Sequence, residues 1–147
     1  MAKKNLYDAA VYEEILKRMA KLTPESQAHW GTMDVARMLA HAAEVQDVYN
    51  GKPLKAPAWM VLTRPLAKWL ILAEKPFSAN SPTLDQFRMV DPEDFGTQRS
   101  RLIDSLRTMH ALGPRELQHK IMGRLTAEEV GWVTYKHLDH HLRQFGV

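Results

Sequence analysis

YKHLDHHLRQF, residues Tyr135–Phe145, ends an amphipathic pattern that runs from Glu128 to Phe145. An α-helix advances about 100° per residue, which places Val130, Val133, Thr134, His137, Leu138, His141 and Phe145 in one arc. Leu142 and Tyr135 fall at its margin, and Trp132, Lys136, Asp139 and Arg143 on the opposite side. His137 and His141 are four residues apart, so their rings lie one above the other near the middle of the apolar face. His140 sits toward its edge. That spacing lets two imidazoles grip one ion, or leaves two histidines hydrogen-bonded in a core. An unpaired buried polar group costs about 1–3 kcal/mol, so one of the two must hold.

Working outward, a third histidine bears on that choice. Met33 to Tyr49 reads as a second amphipathic helix, with Met38, His41, Val45 and Val48 on one stripe. His41 stands where the pattern calls for Leu or Val. Three inward histidines from two helices make a ligand set with open coordination positions, as expected of a catalytic site. Asn5 to Leu22 gives a first helix, and Pro24 to Gly31 a loop. Thr32 is the expected cap of the second helix, and Asn50-Gly51 its stop. A third main helix is expected from Pro92 to Leu112, with Asp91 as cap, Pro92 in the first position and Gly113-Pro114 as terminator. Thr126 and Glu129 have the spacing of a capping box ahead of the last helix. No period-2 strand stands out. Four main helices argue for an all-α bundle in one domain, residues 1–147.

The motifs LAHAAEV around His41 and KHLDHHLRQF around His137 and His141 resemble the DinB-like (YfiT-type) superfamily of metalloenzyme-type proteins. HWGTMDVARMLAH (His29–His41), EKPFSANSPT (Glu74–Thr83) and GRLTAEEVGWVTYKHLDHHLRQFG (Gly123–Gly146) resemble a bacterial branch of it whose function is unassigned. The resemblance implies a DinB/YfiT-like four-helix bundle, with an extra short helix and loop between the second and third main helices. It also implies a divalent metal held by His41, His137 and His141. QHKIMG (Gln118–Gly123) departs from that branch, which has His-Pro and an aromatic before the glycine, so His119 is read as local structure.

Between the second and third main helices, Trp59 to Ala73 is rich in large apolar residues but broken by Arg64, Pro65 and Lys68. It is too interrupted to span a membrane, which takes about 20 predominantly apolar residues. A short helix laid over the bundle or against a second subunit is expected; a surface-binding helix anchored by Trp59 and Trp69 is the alternative. Pro76 to Pro82 is expected to be a loop at the site's entrance. Glu44 and Asp139 project toward the polar side and read as solvated charges. His140 borders the site, His29 and Trp30 cover an end of the bundle, His110 favours the third main helix's C-terminus as a cation, and Tyr135 and Trp132 pack.

Composition narrows the chemistry. The chain has 147 residues, 45% hydrophobic and 25% charged, as in a globular protein. It contains no cysteine, which excludes disulfides and a thiol nucleophile of its own. Its N-terminus lacks an apolar signal core, in keeping with a cytoplasmic protein. The net charge of +3 has no basic block behind it, with 11 basic and 8 acidic residues up to Lys75 and 9 of each after it, so nucleic acid is not expected as a partner. Zinc, nickel and iron suit imidazole ligands best. Three neutral imidazoles leave the ion's charge uncompensated, so a bound water or small thiol loses its proton more readily. The resemblance implies two outcomes for a small-molecule substrate: hydrolysis, or transfer of a low-molecular-weight thiol supplied as cosubstrate. A non-catalytic metal-binding or homodimeric interaction protein is the alternative.

Overall fold

The last helix is built from its cap inward. The Thr126 hydroxyl accepts from the Glu129 backbone N–H (3.2 Å), and the Glu129 carboxylate accepts from the Thr126 N–H (2.9 Å). This closes the expected capping box. The computed structural model describes residues 2–89, 92 and 94–147, and is mostly helical. Its elements are α1 (Ala9–Met19), α2 (Val35–Tyr49), a 3-10 helix (Ala58–Thr63), α3 (Arg64–Leu72), a 3-10 turn (Asp85–Phe87), α4 (Phe95–Leu112), a hairpin of β1 (Leu117–His119) and β2 (Gly123–Leu125), and α5 (Ala127–Gln144). One buried apolar cluster draws on residues from Leu6 to Phe145.

Several boundaries differ from the sequence expectations, each for a local reason. α1 starts at Ala9, not Asn5, because the Asn5 side chain accepts from the Tyr7 N–H (2.9 Å) and closes a turn first. It ends at Met19, with tighter i→i+3 bonds carrying the chain on to Leu22. α2 is capped by Asp34, not Thr32: the Asp34 carboxylate accepts from the Arg37 N–H (2.8 Å). α4 begins at Phe95 rather than Pro92, because Asp94 accepts from the Thr97 N–H (2.9 Å). The expected cap Asp91 lies outside the described residues. The hairpin was not expected. Its strands are three residues each, too short for a period-2 signal, and its turn is closed by His119 Nδ1 accepting from the Ile121 and Met122 N–H groups.

α5 lies against α1, α2, α3 and β2. Trp132 packs as expected, 3% exposed, but the projection that put Lys136 and Asp139 on the polar side is corrected: they are 1% and 7% exposed. Asp139 is covered by Arg18 of α1, and Trp132 and Lys136 by α3, the short helix expected to lie over the bundle. Trp132 Nε1 donates to the Leu72 carbonyl (2.9 Å), and the Lys136 ammonium donates to those of Ile71 and Ala73 (2.8 Å each). Two residues one turn apart on α5 thus satisfy the C-terminal carbonyls that any helix leaves without intrahelical partners. On another side, Leu6 N–H bonds to the Gly131 carbonyl (3.0 Å). A Cβ on Gly131 would fall against the Asn5 side chain, so only glycine lets the N-terminal segment cross here. Among the described residues no helix is long and apolar enough to cross a membrane.

Candidate metal centre

α2 and α5 pack so that the three inward histidines meet. His41 and His141 are buried and His137 half-buried, and one ring nitrogen from each lies within 4.8 Å of the others. His41 Nε2 and His137 Nε2 are 3.1 Å apart. Ring centroids are 4.7–5.1 Å apart across the three pairs. Nitrogens about 2.0–2.1 Å from a shared ion stand about 3.3 Å apart at a tetrahedral angle, close to the His41–His137 separation.

The tautomers follow from what the other nitrogens touch. His41 Nδ1 is 2.9 Å from the Phe87 carbonyl, which can only accept, so Nδ1 carries the proton and Nε2 presents a lone pair. His141 Nδ1 is 2.9 Å from Gln144 Oε1. The Gln144 amide is oriented because its NH2 donates to the Trp30 carbonyl (2.8 Å). His141 Nδ1 therefore donates as well, and its Nε2 is the free lone pair. Such partners fix ring orientation and raise ligand basicity in metal sites. Gly31 makes room for this bond: it adopts φ +80°, and a Cβ there would press on Gln144 Nε2 at 2.9 Å.

Burial and the neighbouring rings keep the three imidazoles unprotonated. Burial, then the charge of His41, pushes His141 down from 6.5 to about 3. Burial, followed by His141, His41 and His140, holds His137 well below its ordinary value. Burial lowers His41 too, with the Phe87 bond opposing it in part. All three are neutral bases in the free protein, the form that binds a cation.

Glu44 and Asp139, read from the sequence as solvated, are buried ion-pair members. Glu44 is bound by Lys52 (2.7 Å), Arg101 (2.7 Å) and Gln86 (3.2 Å). Burial alone would raise its pKa, but those three partners hold it below the usual range. Its bond to Gln86 pins the turn whose next residue, Phe87, supplies the carbonyl to His41. Asp139 pairs with Arg18 (2.8 Å) and Arg143 (3.4 Å). The groups that orient the ligand candidates are thus the Phe87 carbonyl and the Gln144 amide. The i, i+3 spacing of His141 and Gln144 was a usable signal for the second; a backbone carbonyl leaves none.

His140 borders the cluster as expected, its ring 5.0 Å from that of His141. It also floors a cleft of about 210 Å³ lined by Trp30, Pro76, Phe77, Ala79, His140 and Arg143, so the Pro76–Pro82 loop does shape an opening beside the histidines. His29 lies over Gly146 and its N–H bonds the Gln144 carbonyl (2.8 Å), covering that end of α5. His110 donates to the Leu6 carbonyl (2.9 Å) and its ring lies tilted against that of Tyr12, centroids 3.9 Å apart, which ties α4 to the N-terminal segment and α1. His119, stacked on Tyr49 and lowered to about 4 by burial and by Arg64, serves the hairpin.

Residues 2–146 match the family described as protein of unknown function (DUF1569). The chain belongs to that family. No curated protein and no solved structure matches it. In this DUF1569 chain the three-histidine cluster could hold a metal ion, and the tautomers of His41 and His141 suit one.

Proposed function

We propose that this DUF1569 chain is a divalent-metal-dependent enzyme of the DinB-like kind. In this reading α1, α2, α4 and α5 form its four-helix bundle, and His41, His137 and His141 hold the ion. The observation that carries the reading is the pair of outer bonds, Phe87 carbonyl to His41 and Gln144 amide to His141, which aim two Nε2 lone pairs at one point beside His137. A set of satisfied core histidines needs no such convergence. Zinc, nickel or iron(II) suits an all-imidazole set. When bound, such an ion supplies Lewis acidity to a water or small thiol at an open position. The chain's own residues orient the ligands and bury His41 and His141, and His140 stands between the ligands and the opening. With no cysteine in the chain, a thiol transfer takes its sulfur from a low-molecular-weight cosubstrate. The site sits on a protein we expect in the cytoplasm.

A second reading, a non-catalytic metal-binding or homodimeric helical protein, draws on one observation: Trp59, Leu62, Leu66 and Trp69 are 58–85% exposed on one segment.

Elemental analysis of protein reconstituted with zinc, nickel or iron(II) should give one ion per chain, and His41→Ala should lose it. Unchanged metal content in that variant would overturn the ligand assignment. Turnover of model electrophiles only with added small thiol marks the transferase; turnover of esters or amides without thiol marks the hydrolase. No turnover with any metal leaves the second reading.

A further inference from the structure

The cleft beside the histidine cluster has a chemistry of its own. At about 210 Å³ it is smaller than the roughly 300–1,000 Å³ of sites for drug-sized ligands. Two of its walls are aromatic: the Trp30 and Phe77 rings each stand 5.8 Å from the His140 ring between them. Arg143 is the one charged group in its lining. Its guanidinium is half exposed and, among the described residues, makes a single long contact, 3.4 Å, to an Asp139 carboxylate that Arg18 already holds at 2.8 Å. Most of its donor fork is therefore free for a ligand, and that fork matches a carboxylate in two parallel bonds. A second positive charge stands behind the wall, where the Lys136 ammonium lies 4.1 Å from the Phe77 ring centroid. The Trp30 indole N–H, buried, has no acceptor among the described residues. His140, in contact with His141, connects the cleft to the metal centre.

We infer that this cleft is the substrate subsite, and that it takes a small carboxylate with a flat apolar body, its carboxylate on Arg143 and its body between Trp30 and Phe77. The inference rests on the proposed function only for the word substrate; the binding itself needs no metal. His140 is here a wall of the subsite.

The test uses 3-phenylpropionate and its neutral amide, titrated calorimetrically into metal-loaded and metal-free protein, with the Trp30 indole N–H resonance followed by NMR. The acid should bind at least about tenfold more tightly than the amide, the equivalent of about 1.4 kcal/mol, in both forms of the protein, and should shift the Trp30 resonance. Arg143→Gln should remove the preference, Arg143→Lys should retain part of it, and Trp30→Ala should weaken acid and amide alike. Equal binding of acid and amide, or a preference that survives Arg143→Gln, overturns the inference. A preference confined to the metal-loaded form also overturns it, since the carboxylate would then be binding the ion. Absence of metal with the preference intact sinks the metal reading and leaves the subsite standing.

Discussion

α5 and the segment Ala58–Leu72 are both rich in large apolar side chains, and the fold treats them in opposite ways. α5 is covered over most of its surface, so that even Lys136 and Asp139 are buried and partnered. The other segment leaves Leu62 85% and Trp69 70% exposed while burying only Leu72. It is held through its C-terminal carbonyls by Trp132 and Lys136, and through its own Arg64 and Lys68 to the Lys120 and Arg124 carbonyls. Burial here is decided by how many neighbours surround a helix, and only loosely by how apolar it is. A helix surrounded by neighbours can carry a lysine inward if carbonyls meet it.

Substitutions can break that contrast. Leu138→Ala on α5 removes a side chain only 3% exposed and should cost about 2–5 kcal/mol in chemical denaturation. A cost below about 1 kcal/mol would mean that α5 is less enclosed than described.

Acid should act on the same helix. In metal-free protein, burial holds His137 and His141 neutral where the unfolded chain would take up protons near 6.5. Their folded-state values are depressed, so above about 6.5 they leave stability unchanged. As pH falls below it the unfolded state binds more protons and stability drops, until His141 itself titrates at about 3. Urea midpoints measured between about pH 7 and about pH 5, above the carboxylate range, should therefore fall with acidity, and His141→Gln should flatten the slope. An identical slope in that variant would show that its ring is already solvated.

The smallest effect belongs to the exposed segment. Leu62→Ser should change stability by no more than about 0.5 kcal/mol. A loss of 2 kcal/mol or more, at concentrations where sedimentation reports a dimer, would show that a second copy covers this face.

Much of this was legible in the sequence because it is local. The period of α5, the Thr126–Glu129 box, and the inward stripe bearing His41 all rest on residues within a few positions of one another. The three histidines converge as those stripes require. What was not legible depends on neighbours. Asp139 and Lys136 project away from the apolar arc, and only Arg18 of α1 and the end of α3 reveal that this side is covered too. The cap of α2 moved from Thr32 to Asp34 because two good capping residues stood two positions apart, and spacing alone does not rank them. Phe87 contributes through its carbonyl, which every residue has.

The 3.1 Å approach of His41 and His137 joins positions 96 residues apart in the chain. Closing a flexible loop of that length costs about 4 kcal/mol of chain entropy beyond a constant, and helix packing has met that cost before the rings face each other. In the unfolded chain only the local pair, His137 and His141, remains near to hand. An ion that needs all three rings therefore arrives after α2 and α5 have docked, and it must leave before they can part. An ion bound as proposed would work as a latch: it would leave the folding rate alone and lower the rate of unfolding.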